Sequence, residues 1–363
     1  MRTCFRFAVV LLVAALMSAG ADPALMKLVM PEARVLSGFN ISQVLASPLG
    51  QFLLSQMPPD TADFQKFITV TGFDPRRDLQ EVLIAATGTP SQKRAGLILV
   101  RGSFDTTRAL TLAKQHGAGV SYYKGVPILS EGAKRAPAKP AGHPEGWLAL
   151  LDNSTLALGD AGSVRGAIDR RSTGSTLNAH LVNKVSELSS LYDFWGVSII
   201  PATEWTGTVP VPDEKVSGVM KGDMFRAITE TSGGVRFGND IEFSGEAVTR
   251  SEKDATALAD IIRFLTGLVQ MNAQDPKVAE VSKFLQTMEL STNGNTMKVS
   301  LRIPEAEVEK LILAAKQQQR TAGVSPGGRR TREARAESAP AERSGDVIIY
   351  SSPKDMGTVV VKQ

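Results

Sequence analysis

Ser121-Tyr122-Tyr123-Lys124 has the S-x-x-K spacing in which a lysine amine activates a serine hydroxyl. That chemistry needs the serine at the opening of a helix, where hydroxyl and amine meet on one face. Here Val120 to Tyr123 and Val126 to Leu129 flank Lys124-Gly125 and predict a hairpin. On a strand the two side chains are offset and point to opposite faces, and no K-T-G follows. This tetrapeptide is read as chance, as is Ser351-Ser352-Pro353-Lys354 in the tail. His116, His143 and His180 are the only histidines; none has an i, i+4 partner and no H-E-x-x-H occurs, so no metal site is expected. G-x-S-x-G, the P-loop and G-x-G-x-x-G are absent, and no cofactor is expected.

Carboxylates are the remaining route to catalysis, because a pair of hydrolytic acids leaves no sequence signature. Asp74 and Asp78 flank Arg76-Arg77 in one turn, and Asp152 and Asp160 bracket a hairpin. Turn-forming and helix-capping roles account for all four. The basic stretch of the tail, Arg329, Arg330, Arg332 and Arg335, is the candidate contact for an anionic surface such as lipid or lipopolysaccharide. It carries no interleaved aromatics and is diluted by Glu333, Glu337 and Glu342, so specific nucleic-acid binding is not expected and a solvated linker is the default.

The first residues set the compartment. Arg2 and Arg6, the apolar run Phe7 to Met17 and the small residues Ala19-Gly20-Ala21 read as a secretory signal cleaved before Asp22. That run is shorter than the roughly 20 residues a bilayer needs, and no later stretch is long and apolar enough to span one. Cys4 is the only cysteine and precedes the apolar run, so the chain after Ala21 has no thiol, no disulfide and no cysteine-ligated zinc. The whole chain carries +4, but nine basic against five acidic residues from Lys316 to Gln363 put +4 in the tail alone. With the two signal arginines removed, the body from Asp22 to Ala315 is left at −2.

The elements that would position any site follow from punctuation and periodicity. A strand is expected over Ala33 to Phe39, then helices opened by Ser47-Pro48 and near Thr61 to Thr71, the latter stopped by Gly72. The turn Phe73 to Asp78 leads into the strand Glu81 to Ala85. Gly96 to Arg101 is a continuous apolar strand, Asp105 caps a helix to Gln115, and Trp147 to Leu151 with Thr155 to Leu158 form a second hairpin before a helix capped by Asp160. In the second half, a strand over Phe194 to Ile200 precedes a Pro-rich loop and a short helix around Met224 to Thr229. Strands at Val235 to Phe237 and Ile241 to Gly245 come next. Ser251 opens the best helix, whose apolar face runs from Leu258 to Val269. A helix marked by Val278 to Leu285, a hairpin about Asn293-Gly294 and a helix from Pro304 complete the body.

Hairpins dominate, so the expected class is α+β: antiparallel sheets with helices packed on one face, arranged as two ferredoxin-like lobes. The expected divisions are a signal peptide at 1–21, an N-terminal lobe at 22–185 and a C-terminal lobe at 186–316. A disordered basic linker at 317–345 and a terminal β-hairpin at 346–363 follow. Gly50-Gln51-Phe52-Leu53, the turn Gly72 to Leu79, Gly159-Asp160, Val164-Arg165 and Ala167-Ile168-Asp169 carry a further reading. Through them Met26 to Ala315 resembles a group of uncharacterised exported bacterial proteins of the acidobacterial type. That resemblance implies export and a non-enzymatic tendency and carries over no site residue. The leading expectation is therefore an exported periplasmic or extracellular protein, not an enzyme, that works through surface contacts with an envelope component or protein. A lipid or apolar small-ligand module and a carboxylate-based hydrolase are the alternatives.

Overall fold

The computed structural model describes residues 20–56, 62–88, 95–130, 146–204, 225–271 and 282–322. Helices begin where short polar side chains meet free N–H groups. Asp22 opens α1 (Pro23–Met26), and after β1 (Val35–Asn40) Asn40 caps α2 (Ile41–Ala46). The Ser47 hydroxyl accepts from the Gly50 N–H (3.1 Å) at the start of α3 (Pro48–Gln56), and α4 (Ala62–Thr71) stops at Gly72, whose φ is +73°. Asp74 opens the single turn α5 (Pro75–Asp78), which feeds β2 (Leu79–Ala86) and β3 (Gly96–Gly102). Asp105 caps α6 (Thr106–Gln115). The strands β4 (Gly119–Tyr123), β5 (Val126–Ser130), β6 (Trp147–Asp152) and β7 (Thr155–Gly159) come next.

Asp160 caps α7 (Ala161–Thr173), and Asn178 caps α8 (Ala179–Leu191) through the His180 N–H at 2.9 Å. The second half runs β8 (Phe194–Ser198), β9 (Ile228–Phe237), β10 (Asp240–Thr249), α9 (Glu252–Met271), β11 (Glu289–Asn293), β12 (Thr296–Pro304) and α10 (Glu305–Ala322). At the head of α9, Ser251 and Asp254 bond reciprocally (3.2 and 2.8 Å), the capping pair expected there. The expected helix around Met224 to Thr229 is a short 3₁₀ turn, Phe225–Ala227, and β9 begins at once behind it. The Thr229 and Thr231 side chains favour the extended chain.

All these strands join one twelve-stranded sheet in the order β11-β12-β10-β9-β8-β1-β2-β3-β7-β6-β5-β4, and every neighbouring pair is antiparallel. The two halves repeat one plan. A three-strand meander (β1–β3; β8–β10) leads to a helix (α6; α9). Strands are then added from the edge inward (β4–β7; β11–β12), so that the last pairs with the third of the meander, and a helix follows (α7; α10). The plans meet where β1 pairs with β8, Leu36 opposite Val197 and Gly38 opposite Trp195. Two separate ferredoxin-like lobes are therefore replaced by one sheet, because β1 and β8 satisfy each other's backbone groups along the seam instead of standing as free edges. The chain divides into the units Met1–Ala315 and Lys316–Gln363, and the position 185/186 lies inside α8. Residues 317–322 of the expected disordered linker instead form the end of α10, their Gln, Arg and Ala residues being good helix formers; the rest of the linker, 323–345, and the expected hairpin at 346–363 lie outside the described residues.

The α+β class and the hairpin-built antiparallel sheet are as expected; the placement of helices is finer than expected. Strand register defines two faces, named here for adjacent residues of β3. On the Leu97 face, Leu36, Leu83, Ala85, Leu97, Leu99 and Trp195 pack against α1, α7 and α8 in one core. Fully burying side chains of this size stabilises by roughly 1.5–3 kcal/mol each. A smaller core sits on the opposite, Ile98 face, where Ala255, Leu258 and Ala259 of α9 cover Ala247 and Met297. Helices share one face within each core, but the two cores use opposite faces. The reason is the side-chain pattern of β10 and β12: Glu242, Glu246, Lys298 and Arg302 occupy the Leu97 face there, so only the other face can accept an apolar helix.

Candidate functional site

The Ile98 face away from α9 presents what no core absorbs. Cross-strand register lines up Phe243, Val235, Phe194, Phe39, Val82 and Val100, one per strand, and Leu156 of β7 continues the row. Phe39 and Phe194 touch edge to face, ring centres 6.0 Å apart. At about 4.8 Å per strand the row is about 29 Å long. A second row, Ile84, Ile98, Leu158 and Leu148, runs parallel to it. Ile84, Ile98, Phe194 and Phe243 are 43, 38, 42 and 38% exposed. Ile84, Ile98, Leu148 and Leu158 line a shallow depression of about 540 Å³ whose one charged lining residue is Asp160. That carboxylate is already engaged by Ser163 N–H (3.0 Å) and Oγ (2.6 Å) and by Gly96 N–H (3.3 Å). Burial raises its pKa, but these hydrogen bonds outweigh burial and hold it below the usual range. An occupant would meet aliphatic and aromatic carbon and no titratable group free to react.

The opposite face of the same C-terminal strands is charged. Glu246 lies 3.1 Å from Lys184 of α8 and 3.3 Å from Lys298, Glu242 lies 2.9 Å from Arg302, and His180 lies 2.7 Å from Glu230. Burial pushes the Glu246 carboxyl up, but the hydrogen bond and charge of Lys184, then of Lys298, overcome it and leave the group below its ordinary value. A cavity of about 490 Å³ on these strands contains Asp240, Glu242 and Glu289 among its lining residues, with Glu242 tied to Arg302.

The residues singled out for chemistry are dispersed. Ser121 is an exposed strand residue. Lys124 sits at φ +48° in the β4–β5 turn with Gly125 at +79° and pairs with Asp169 at 2.6 Å, so amine and hydroxyl serve different elements. Asp74 caps α5 and pairs with Arg76 (2.8 Å); Asp78 pairs with Arg77 (2.7 Å). Asp152 accepts from the Ser154 N–H (2.8 Å) inside its hairpin turn. His116 ends α6 and is exposed, while His143 lies outside the described residues, as do Arg329, Arg330, Arg332 and Arg335. Among the described residues, no group of three or more His, Cys, Asp or Glu could hold a metal ion, and no helix is long and apolar enough to cross a membrane.

The apolar rows were not anticipated, though their signal was present. Val82-Leu83-Ile84, Leu97-Ile98-Leu99-Val100 and Leu156-Ala157-Leu158 do not alternate with polar residues, which means that both faces of those strands are apolar. One face is the core; the other is this surface. No family model, curated protein or solved structure matches the chain. Fold and site define the class: an α+β protein with a single antiparallel sheet and an exposed apolar ladder.

Proposed function

We propose that this is an exported, non-catalytic bacterial protein that binds a partner protein of the envelope or secreted fraction through the apolar rows of the Ile98 face. The observation that carries the reading is that ladder of half-exposed Phe, Ile, Leu and Val side chains crossing seven adjacent strands. Contiguous apolar surface of this extent marks interaction sites on soluble proteins. Its length of about 29 Å and its flatness suit a protein surface better than a small molecule, which is held in a concave pocket. Export rests on the N-terminal signal and the resemblance to exported proteins. The tail arginines add a second, electrostatic contact to the same assembly.

The test is face-specific photocrosslinking in the producing cells. Crosslinkers at Ile98 and Phe194 should trap one common species, a crosslinker at Ser300 on the charged face should not, and Ile84→Glu with Ile98→Glu should abolish the product. Equal yields from both faces, or a product indifferent to the two glutamates, would refute the reading. The depression of about 540 Å³ over Ile84 and Ile98 favours one second reading, an acyl chain held there. Native mass spectrometry separates the two, since a lipid would co-purify as a discrete mass increment.

A further inference from the structure

The residues that follow the expected cleavage point are built into the larger core. Leu25, Leu28, Val29 and Met30 are all buried within it. Just ahead of them, Oδ1 of Asp22 accepts from the Ala24 N–H (2.7 Å) and opens α1. The backbone N–H of Asp22 is directed at the carboxylate of Glu81 on β2, 3.2 Å from Oε1 and 3.3 Å from Oε2. Oδ2 of Asp22 lies 3.1 Å from Nε of Arg101 on β3, and Nη1 of Arg101 donates to the hydroxyls of Ser154 and Thr155. One amide hydrogen divided between two oxygens is a poor partner for a carboxylate taken out of water. Burial accordingly pushes Glu81 up to about 7, with the Asp22 carboxylate adding to the rise and the Asp22 N–H and Arg101 working against it.

We infer that cleavage of the Ala21–Asp22 bond creates an α-ammonium group that docks on Glu81, which makes Glu81 the receptor of the processed N-terminus. The reaction is a hydrolysis: water supplies the oxygen that leaves on the Ala21 carboxylate, and the Asp22 nitrogen takes up protons to become –NH3⁺. That nitrogen already stands within hydrogen-bond reach of both Glu81 oxygens, so it gains donors and a positive charge without moving. An opposite charge at this range favours the ionised carboxyl, the reverse of its condition in the uncut chain. A cut one residue earlier would leave an amide at Asp22, and a cut one residue later would remove the carboxylate that Arg101 holds. Cleavage thus converts an ill-matched, half-buried acid into a closed set of Asp22, Glu81 and Arg101.

The consequence for pH follows from the sign of the shift. In the uncut chain the folded-state pKa of Glu81 is raised, so its contribution to stability is full below its ordinary value of 4.5 and is lost as pH rises through about 7. Asp22 and Arg101 are the charged groups that face it. In the cut chain the ammonium keeps the carboxylate paired across the same window.

The inference rests on the export half of the proposed function, and the experiment separates the two. The full-length chain is expressed in its exporting form, purified, and its N-terminus read by intact mass, with Asp22 expected. The α-amine is then labelled with an amine-reactive ester at pH 7 and scored on the N-terminal peptide. Labelling should be about tenfold slower in the wild type than in Glu81→Gln, the effect of roughly one pKa unit of protection. Should Glu81→Gln fail to fold, the pH profile of wild-type labelling decides alone. An amine pKa above the ordinary range of about 7.7–8.0 supports docking, and a value inside it overturns docking. An uncut chain, or one starting elsewhere, overturns export at this site together with the docking. A chain that starts at Asp22 with a freely labelled amine overturns the docking alone.

Discussion

The seam between β1 and β8 holds the two halves in one sheet, and Gly38→Ala probes it directly. Gly38 lies opposite Trp195, and a Cβ on Gly38 would fall inside the indole, against Cε2 and Cζ2 and 2.6 Å from Nε1. Trp195 is 3% exposed and belongs to the larger core, so the ring has little room to yield. Replacing a mid-strand glycine returns about 0.5–1 kcal/mol of backbone entropy. Against this, forcing extra volume into a packed core costs about 1–3 kcal/mol. If the ring is instead driven out, about 80–120 Å² of the indole returns to water, which costs about 2–3 kcal/mol at 25 cal/mol/Å². The expected net loss is about 1–2.5 kcal/mol if the ring is driven out and about 0–2.5 kcal/mol if the core is strained instead, read as a lower urea midpoint with unchanged slope. Trp195→Leu makes the space that the new methyl needs. In that background the penalty of Gly38→Ala should fall below about 0.5 kcal/mol or change sign. An equal penalty in both backgrounds would refute the steric argument and with it the role assigned to the Gly38–Trp195 contact.

Ile84→Glu and Ile98→Glu alter side chains that are about two-fifths exposed, so each should cost no more than about 1 kcal/mol in urea unfolding while removing the face-specific crosslink. Asp160→Ala removes the cap of α7 and the acceptor of the Gly96 N–H and should cost about 1–2 kcal/mol, with Asp160→Asn recovering part of it in thermal melts. The Glu246 pKa is lowered and that of Lys184 raised by their pairing, although burial opposes both. The lowered acid contributes stability above its unfolded pKa, lost as pH falls through its folded value. The raised lysine contributes below its unfolded pKa, lost as pH rises through its folded value. The stability difference between wild type and Lys184→Met should therefore be widest between about pH 5 and 10 and should shrink on acidification below about 4.5.

Local signals in the chain proved specific, and long-range ones did not. Asp105, Asp160 and Ser251 cap the helices they were expected to cap, and Lys124-Gly125 turns its hairpin as expected; the later hairpin turns one residue beyond the expected Asn293-Gly294, at Gly294-Asn295, because Asn293 still pairs with Thr296. Each of these depends on residues within four positions of one another. α8 went unread although Leu181, Val185 and Leu188 recur at helical spacing behind Asn178, because Ser and Asn interruptions weaken the stripe. The burial of Leu25, Leu28, Val29 and Met30 was hidden by proximity to the expected signal segment. Strand order and choice of face are decided by partners more than a hundred residues away, as with Leu36 and Val197. Continuous apolar runs such as Leu97 to Val100 reveal that two faces are apolar but not that one of them stays half-exposed.

The repeated plan explains why the exposed ladder lies where it does. In the C-terminal half the helix after the meander, α9, buries Ala255, Leu258 and Ala259 against the Ile98 face. In the N-terminal half the helix at the same place in the plan, α6, has no fully buried residue; Ala109, Leu110, Leu112 and Ala113 are only half-buried. Its sequence, TTRALTLAKQ, has too few large apolar side chains to seal a sheet face. That half instead gains its stability on the Leu97 face, from α1, α7 and α8. A chain under selection only for stability would substitute polar residues at Ile84, Ile98 and Phe194, since half-exposed large apolar groups contribute little and invite association. Those side chains stand on central strands of a folded sheet that is already supported from its other face. Stability therefore does not require them, and that is the ground on which the binding role is proposed for this face.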